Sequence, residues 1–192
     1  MHKNEAETFC PASRQEWRQW LQENQGLKRS VWLLYYKKNA GVATVSWSEA
    51  VDEAICFGWI DSTKRPVDDK TFMQFFCKRK PNSAWSKINK AKVERLMDEG
   101  LITGPGYASI ETAKQNGSWT MLDDAEELLL PKDLETAFRT KKGSKDFFLS
   151  LSRSVRKNIL QWLVLARRPE TRQKRINEIA ALAAQKLKPK QF

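Results

Sequence analysis

Histidine is almost absent from this chain, since His2 is the only one among 192 residues. A Ser-His-Asp triad, an HExxH zinc motif and a histidine-rich metal centre are therefore excluded. The glycine-rich phosphate-binding motifs GxGxxG and GxxxxGK[ST] are missing as well. We therefore predict no catalytic residue, no metal site and no cofactor, and a binding protein is favoured over an enzyme.

Paired cysteines and long apolar runs are also lacking. Cys10, Cys56 and Cys77 are odd in number and far apart, which is typical of reduced thiols in a reducing compartment. No run approaches the roughly 18 apolar residues of a membrane span. The first residues contain no apolar segment of the kind found in secretory signals. We expect a cytoplasmic protein that does not insert into a membrane.

Positive charge is concentrated near one end of the chain. Residues 139–192 contain 15 Lys and Arg and 3 Asp and Glu, whereas residues 1–138 contain 19 and 20. The net charge of +11 therefore belongs to the last third. Such an asymmetry makes nucleic acid a possible partner, and an acidic protein surface another.

The first two thirds of the chain predict an α+β domain. Ser13 and Ser46 each stand three residues before a glutamate, which is the capping-box pattern of a helix start. Residues 30–38 are apolar on both faces and rich in aromatic residues, which indicates a central strand. "WIDSTKR" and "TFMQFFCKR" flank the turn "PVDD" and predict a hairpin.

The last third is predicted to be helical. "VRKNILQWLVLA" is apolar nearly all round, and Pro169 separates it from a final helix. That helix has an inward stripe of Ile176, Ile179, Ala180, Ala183 and Leu187. The predicted fold class is α+β, with a small antiparallel sheet of about three strands surrounded by helices and followed by a helical basic C-terminal subdomain. We place the domains at residues 1–125 and 126–192.

Three long motifs resemble a known family. They are "SWSEAVDEAICFGWIDS", "KRKPNSAWSKINKAKVERLMDEG" and "LSRSVRKNILQWLVLARRPETRQKRI". In this order they resemble the YdeI/OmpD-associated family, also called bacteriocin-protection proteins, over about residues 30–185. The resemblance implies a role in tolerance of bacteriocins or cationic antimicrobial peptides, and association with an outer-membrane porin. We do not expect the porin association here, because the sequence shows no export signal. Phe75 and Lys78 depart from the family's pattern and shift a positive charge along their strand.

A ligand pocket is predicted where the second motif leaves the hairpin. Cations there precede two serines at a helix start, a combination that suits an anion, and Trp85 is placed to stack on a ring. Asn89 interrupts an apolar stripe and needs a polar partner. Alternatively, a serine only caps the helix and Trp85 belongs to the core. We predict a site for a small anionic or aromatic ligand lined by Trp59, Asp61, Arg79, Ser83, Trp85 and Asn89.

Asp61 itself has two interpretations, because its strand position favours either a ligand contact or an ion pair with Lys or Arg of the partner strand.

Glu49, Asp52, Glu53 and Cys56 share one face of the second helix. Clustered carboxylates of this kind can act as a general acid and base or bind a hard metal ion. We favour the alternative that they form a solvated helix face, with Glu49 in its capping box. Cys56 lacks a histidine to activate it and is interpreted as an inert core residue.

Arg168, Arg172 and Arg175 form a row along the last predicted helix. Such a row can bind an anion or the phosphates of nucleic acid. It can equally be a solvated face, with Arg167 and Arg168 neutralising the end of the preceding helix.

Taken together, these patterns predict a non-enzymatic binding protein that resembles the YdeI/OmpD-associated family. The alternatives are a nucleic-acid-binding protein that uses the basic helices, and an enzyme of unknown reaction that uses Asp61 with Glu53 and Arg79.

Overall fold

The computed structural model describes residues 7–192, so that His2 lies outside the described residues. These residues form two compact units. The first contains the chain up to Ser83 together with Ile88–Trp119, and the second contains Ala84–Lys87 and Thr120–Phe192. The predicted boundary between residues 125 and 126 stays a prediction.

The strands and helices follow one another in chain order. In the described part of the chain the strands are β1 (Thr8–Phe9), β2 (Ser30–Tyr36), β3 (Trp59–Pro66) and β4 (Thr71–Lys78). The helices up to residue 115 are α1 (Arg14–Asn24), α2 (Trp47–Cys56), α3 (Lys87–Asp98) and α4 (Gly104–Gln115), with a short 3-10 turn at Lys38–Ala40. The later helices are α5 (Asp123–Glu126), α6 (Lys132–Arg139), α7 (Ser144–Ser150), α8 (Arg153–Val164) and α9 (Pro169–Ala184).

The sheet has the order β1-β2-β4-β3 and is mixed. The α+β class is confirmed, but the prediction of about three antiparallel strands is wrong in its detail. The predicted hairpin β3–β4 and its antiparallel pairing with β2 are present. The additional strand β1 pairs in parallel with β2, with Thr8 opposite Trp32 and Phe9 opposite Leu33. A strand of two residues has no periodicity that a sequence pattern could detect.

Both serines cap their helices, but the predicted capping box is complete only at Ser46. The Ser46 hydroxyl accepts a hydrogen bond from the Glu49 N–H at 3.3 Å, and the Glu49 carboxylate accepts from the Ser46 N–H at 2.9 Å, which completes the capping box. The Ser13 hydroxyl accepts from the Glu16 N–H, but the Glu16 carboxylate accepts from the N–H of Ala12. The hydroxyls of Ser13 and Ser46 therefore each satisfy an N–H group that a helix start otherwise leaves without a partner.

One face of the sheet is covered by α1 and α2. The Trp17 ring lies edge-on to Phe76 with 5.5 Å between ring centres, and its Nε1 donates to the Ala50 carbonyl at 3.0 Å. Trp20 meets Trp59 edge-on at 5.9 Å. On β2 the residues that face this core are Val31, Leu33 and Tyr35, all buried, whereas the alternate residues are half-buried. β2 has apolar residues on both faces, as predicted, but only the residues on the face toward α1 and α2 are fully buried.

Two glycines allow α2 and α4 to approach closely. Gly58 follows α2 with a φ of 72°, as its predicted position after the helix end requires, and only glycine adopts this left-handed region without strain. A Cβ on Gly106 would lie 2.3 Å from the Cys56 carbonyl oxygen. The backbones of the α2 end and the α4 start therefore meet where no side chain fits.

The second unit is a helical cluster with its own core. Buried apolar residues from α5 to α9 form it, among them Leu134, Phe138, Phe148, Ile159 and Leu163. Four residues of the predicted α9 stripe are buried as expected: Ile176, Ile179, Ala180 and Ala183. Leu187 is 53% exposed, and its assignment to the stripe is wrong because α9 ends at Ala184.

Candidate functional site

The acidic face of α2 is internal, and its interpretation as a solvated face is wrong. Glu53 is 2% exposed at its side chain and receives Arg14 Nε at 2.5 Å and Arg18 Nη1 at 2.6 Å. Each carboxylate oxygen is therefore taken by one arginine of α1. Burial of a carboxylate is costly unless it is paired and hydrogen-bonded, and both conditions are met here. Glu53 thus ties α1 to α2.

Asp52 is buried in the same way on the neighbouring side of α2. Its side chain is 8% exposed and accepts from Lys92 Nζ and, at 2.5 Å, from Arg95 Nη2. Lys92 also donates to the Ser48 hydroxyl at 2.9 Å. These bonds join α2 to α3. Within the described residues, no group of three or more His, Cys, Asp or Glu side chains is arranged to hold a metal ion.

Cys56, at the end of α2, is fully buried. Burial raises the pKa of its thiol to about 11, and the negative charge of Glu53 adds to the rise. The neutral thiol is therefore the dominant form at neutral pH, and a neutral thiol is a poor nucleophile. The interpretation of Cys56 as a core residue is confirmed.

Asp61 is half-buried on β3 and is held by hydrogen bonds from neutral groups. Its Oδ2 accepts from Trp47 Nε1 and from Gln74 Nε2, each at 3.2 Å. The residue opposite Asp61 on β4 is Phe76, so the expected cross-strand partner of the Lys or Arg type is wrong. The carboxylate still influences its surroundings. Burial lowers the pKa of Arg79 to about 10, and the charge of Asp61 opposes that fall.

The two predicted tryptophans of the ligand site are core residues by burial. Trp59 and Trp85 are each 1% exposed. Ser83 and Asn89 are half-buried, and Arg79 is 9% exposed. The first unit contains Trp59, Asp61, Arg79, Ser83 and Asn89, whereas Trp85 belongs to the second. The use of this set by a ligand stays a prediction.

Two of the three arginines in the predicted basic row hold the second unit together. Arg172 forms a bidentate ion pair with Asp133, in which Nε donates to Oδ2 at 2.7 Å and Nη2 donates to Oδ1 at 3.1 Å. Arg175 donates to the Trp162 carbonyl, and its guanidinium carbon lies 4.5 Å from the centre of the Trp162 ring. Arg168 immediately precedes α9 and is exposed.

Arg172 and Arg175, rather than Arg167 and Arg168, contact the end of α8. Arg172 and Arg175 donate to carbonyls in the last turn of α8, namely those of Leu163 and Trp162. Carbonyls at a helix C-terminus lack partners within the helix and favour a nearby cation. The sequence pattern predicts Arg167 and Arg168 for this role. Of the three arginines in the predicted anion-binding row, Arg168 is therefore the exposed one, whereas Arg172 and Arg175 are half-buried.

A second aromatic and basic feature was missed by the sequence reasoning. The face of the sheet opposite α1 and α2 is called the outer face below. Apart from the buried Thr71, its residues are half-buried or exposed, and they include Trp32, Leu34, Tyr36, Ile60, Arg65, Met73, Phe75 and Cys77. Trp32 and Phe75 are paired across β2 and β4, with ring centres 4.9 Å apart. The Arg65 guanidinium carbon lies 4.3 Å from the centre of the Trp32 ring. β2 is apolar or aromatic at nearly every position, so its sequence does not alternate, and the face becomes apparent only from the alternating burial in the structure.

A basic groove opens at one end of the outer face. Its volume is about 600 Å³, and it is lined by Arg29, Ser30, Phe75, Cys77, Lys78 and Lys80. The three cations are exposed, and among residues 7–192 none of them is in an ion pair. The lining therefore combines an aromatic ring with three charged donors and contains no carboxylate.

Comparison with known families divides the chain into two matched segments. Residues 9–109, more than half of the chain, match a family described as a domain of unknown function (DUF8412). Residues 127–186 match the family described as Bacteriocin-protection, YdeI or OmpD-Associated. The chain belongs to the DUF8412 family through its first segment, and through residues 127–186 it carries the domain of the YdeI/OmpD-associated family.

The resemblance seen in the sequence is thereby confirmed, with a narrower extent than expected. The third motif, residues 151–176, lies within the segment matched to the YdeI/OmpD-associated family. The first two motifs, residues 46–62 and 78–100, lie within the DUF8412 segment. No match was found among curated proteins or among solved structures. None of the helices in the described chain is both long and apolar enough to cross a bilayer.

Proposed function

We propose that this chain is a non-enzymatic binding protein that supports tolerance of bacteriocins or cationic antimicrobial peptides. The observation that carries the proposal is the match of residues 127–186 to the family described as Bacteriocin-protection, YdeI or OmpD-Associated. That segment is the compact helical core of the second unit, which folds around its own buried residues.

The protection is proposed to be indirect, without capture of the cationic peptide itself. Capture would need accessible carboxylates, and the best candidates for it were the acids of α2. Asp52 and Glu53 are instead buried and paired with Lys92, Arg95, Arg14 and Arg18. The net charge of +11 also repels a cationic peptide at long range.

The ligand of this protein is accordingly proposed to be anionic. The exposed unpaired cations described above favour such a ligand, and so does the concentration of basic residues after residue 139. A small anionic or aromatic molecule at Asp61, Arg79 and their neighbours remains the narrower form of this proposal. We place the protein in the cytoplasm as part of the same proposal.

Survival of bacteria tests the proposed function. Cells that express the full chain, and cells with the empty vector, are exposed to graded concentrations of a cationic antimicrobial peptide. Expression is expected to raise the inhibitory concentration several-fold. In parallel, calorimetric titration of the purified chain with the same peptide should give no saturable heat. Equal inhibitory concentrations in the two strains would refute the tolerance role, and saturable peptide binding would refute the indirect route.

A further inference from the structure

We infer that the outer face of the sheet, with its basic groove, binds a single-stranded polynucleotide. The inference does not depend on the proposed tolerance role, and it narrows the proposed anionic ligand to a polynucleotide bound by the first unit. It rests on three features of the first unit: stacking planes on neighbouring strands, exposed cations beside them, and the absence of carboxylates from the groove lining.

The stacking planes come from the cross-strand pair Trp32 and Phe75. Phe75 lines the groove directly. Arg65 is exposed and lies over the Trp32 ring, so its guanidinium presents a second flat surface next to the first. Unpaired bases stack on aromatic rings and on guanidinium planes, and every base has a π-face that suits such a surface. A sheet is well suited to this task because side chains of adjacent strands stand side by side.

The cations supply the contacts that phosphates need. Arg29 precedes β2, and Lys78 and Lys80 lie at the end of β4, where the Lys78 N–H donates to the Arg29 carbonyl at 3.1 Å. This backbone bond keeps Arg29 and Lys78 beside each other. A backbone of phosphates that passes along the groove would neutralise these charges, whereas its bases would reach Phe75 and Arg65.

A polynucleotide fits this surface better than an acidic protein does. Charge complementarity alone would suit both partners. Flat rings and a guanidinium plane beside the charges add a requirement that an acidic peptide does not meet and a base does. A duplex is disfavoured because its bases are already stacked on each other and do not present their faces.

Fluorescence anisotropy with labelled oligonucleotides of about 20 nucleotides tests the inference, a length that exceeds the roughly 4–16 nucleotides covered by a comparable single-strand site. The probes are oligo-uridine and oligo-thymidine as single strands, with a duplex of mixed sequence for comparison. The full chain is titrated at low salt and then at increasing salt. We expect saturable binding of the single strands, weaker binding of the duplex, and a steep loss of affinity with salt.

Two pairs of variants separate this surface from the general positive charge. K78Q/K80Q removes two cations of the groove, and K141Q/K142Q removes two exposed cations of the second unit. The first pair is expected to weaken binding by at least about 10-fold and to lower the slope of log affinity against log salt by about 1.4, from two lost phosphate contacts. The second pair should change the affinity by less than about 2-fold, because long-range charge alone contributes little at moderate salt.

The stacking contribution is tested by Phe75→Leu, with Phe72→Leu, which lies on the opposite face of β4 and does not line the basic groove, as its control. Phe75→Leu should weaken binding about 10-fold without changing the salt slope, because stacking involves no counterion release. If Phe75→Leu loses its fold by circular dichroism, Arg65→Ala gives the same test at an exposed position. The inference is overturned if the chain does not bind single strands at low salt. Equal losses in the two lysine pairs, or unchanged binding in Phe75→Leu and Arg65→Ala, would also overturn it.

Discussion

Arg18 donates a hydrogen bond from Nη1 to Oε2 of Glu53 at 2.6 Å, and Glu53 is 2% exposed at its side chain. The contact joins α1 to α2 through a carboxylate that the sequence pattern places on a solvated face. It also removes Glu53 from any encounter with a cationic peptide. This relationship therefore supports the proposal that the chain acts in peptide tolerance without capturing the peptide.

Neutralising Glu53 should destabilise the fold. Glu53→Gln leaves Arg14 and Arg18 facing an amide. Removal of one partner from a buried ion pair costs about 3–5 kcal/mol, and because both arginines are about one-third exposed we expect about 2–3 kcal/mol. Urea unfolding measures this loss. Glu94→Gln, at an exposed position of α3, should stay within about 0.5 kcal/mol of the parent; equal stabilities of the two variants would contradict the assigned role of Glu53.

Gly106→Ala should disrupt the contact between α2 and α4. The added Cβ would lie 2.3 Å from the Cys56 carbonyl oxygen, so backbone must move, at an expected cost of about 1–3 kcal/mol or more. Gly104→Ala in the same helix is the matched control, because nothing lies within 4 Å of its Cβ. Thermal unfolding compares the two. If Gly106→Ala melts at the same temperature as Gly104→Ala, the close approach described here does not exist.

Trp59 and Trp47 give a matched test of core against surface. Trp59→Ala empties a buried site and should cost about 3–5 kcal/mol. Trp47 is 50% exposed and donates one hydrogen bond to Asp61, so Trp47→Ala should cost no more than about 1.5 kcal/mol. Denaturant midpoints measure both. A small loss in Trp59→Ala would favour the ligand role that the sequence suggested for this ring.

Asp133 should contribute a pH-dependent share of the stability of the second unit. Its hydrogen bonds with Arg172 lower the pKa of the Asp133 carboxyl. A lowered pKa in the folded state stabilises the fold above the unfolded pKa of about 3.9, and this contribution disappears as the pH falls through the lowered value. Asp133→Asn should therefore cost about 0.5–1 kcal/mol at neutral pH, since the pair is partly exposed, and nothing in strong acid.

Urea unfolding between about pH 7 and pH 2 checks this sign for Asp133, because the carboxylate titrates within that interval. The stability difference between the parent and Asp133→Asn should shrink as the pH falls. Asp146→Asn, at an exposed carboxylate that is in no ion pair within residues 7–192, serves as the control. A difference that stays constant across the pH range would show that Asp133 acts through something other than its charge.

Local signals in the sequence predicted local structure well. Helix ends could be predicted at Ser13, Ser46 and Gly58, because a helix end depends on contacts within a few residues. The hairpin β3–β4 could be predicted from the residues of its turn. Burial of Asp52 and Glu53 could not be predicted in this way, because their partners lie between 35 and 43 residues away along the chain. The periodicity of α2 defines the face but not what covers it.

The candidate site was affected by the same limit. Asp61 and Phe76 are opposite each other because of a register that includes an irregularity between Asp61 and Lys64. Without that shift the pairing would place Cys77 opposite Asp61. The expected Lys or Arg partner was wrong because a strand pattern does not specify which residues of β4 lie opposite β3. The outer face depends on the same long-range pairing, since Trp32 and Phe75 become neighbours only when β2 and β4 are joined.

The tolerance role is tested most directly by one survival measurement on two leucines at the end of α8. Leu163 is fully buried in the core of the second unit, whereas Leu165 is 48% exposed, and both lie in the segment matched to the YdeI/OmpD-associated family. Inhibitory concentrations of a cationic antimicrobial peptide are compared for cells that express the parent chain, Leu163→Asn or Leu165→Asn. We predict that Leu165→Asn protects as the parent does and that Leu163→Asn, with its core disrupted, does not protect. Equal protection by the two variants, or none by the parent, would contradict the account.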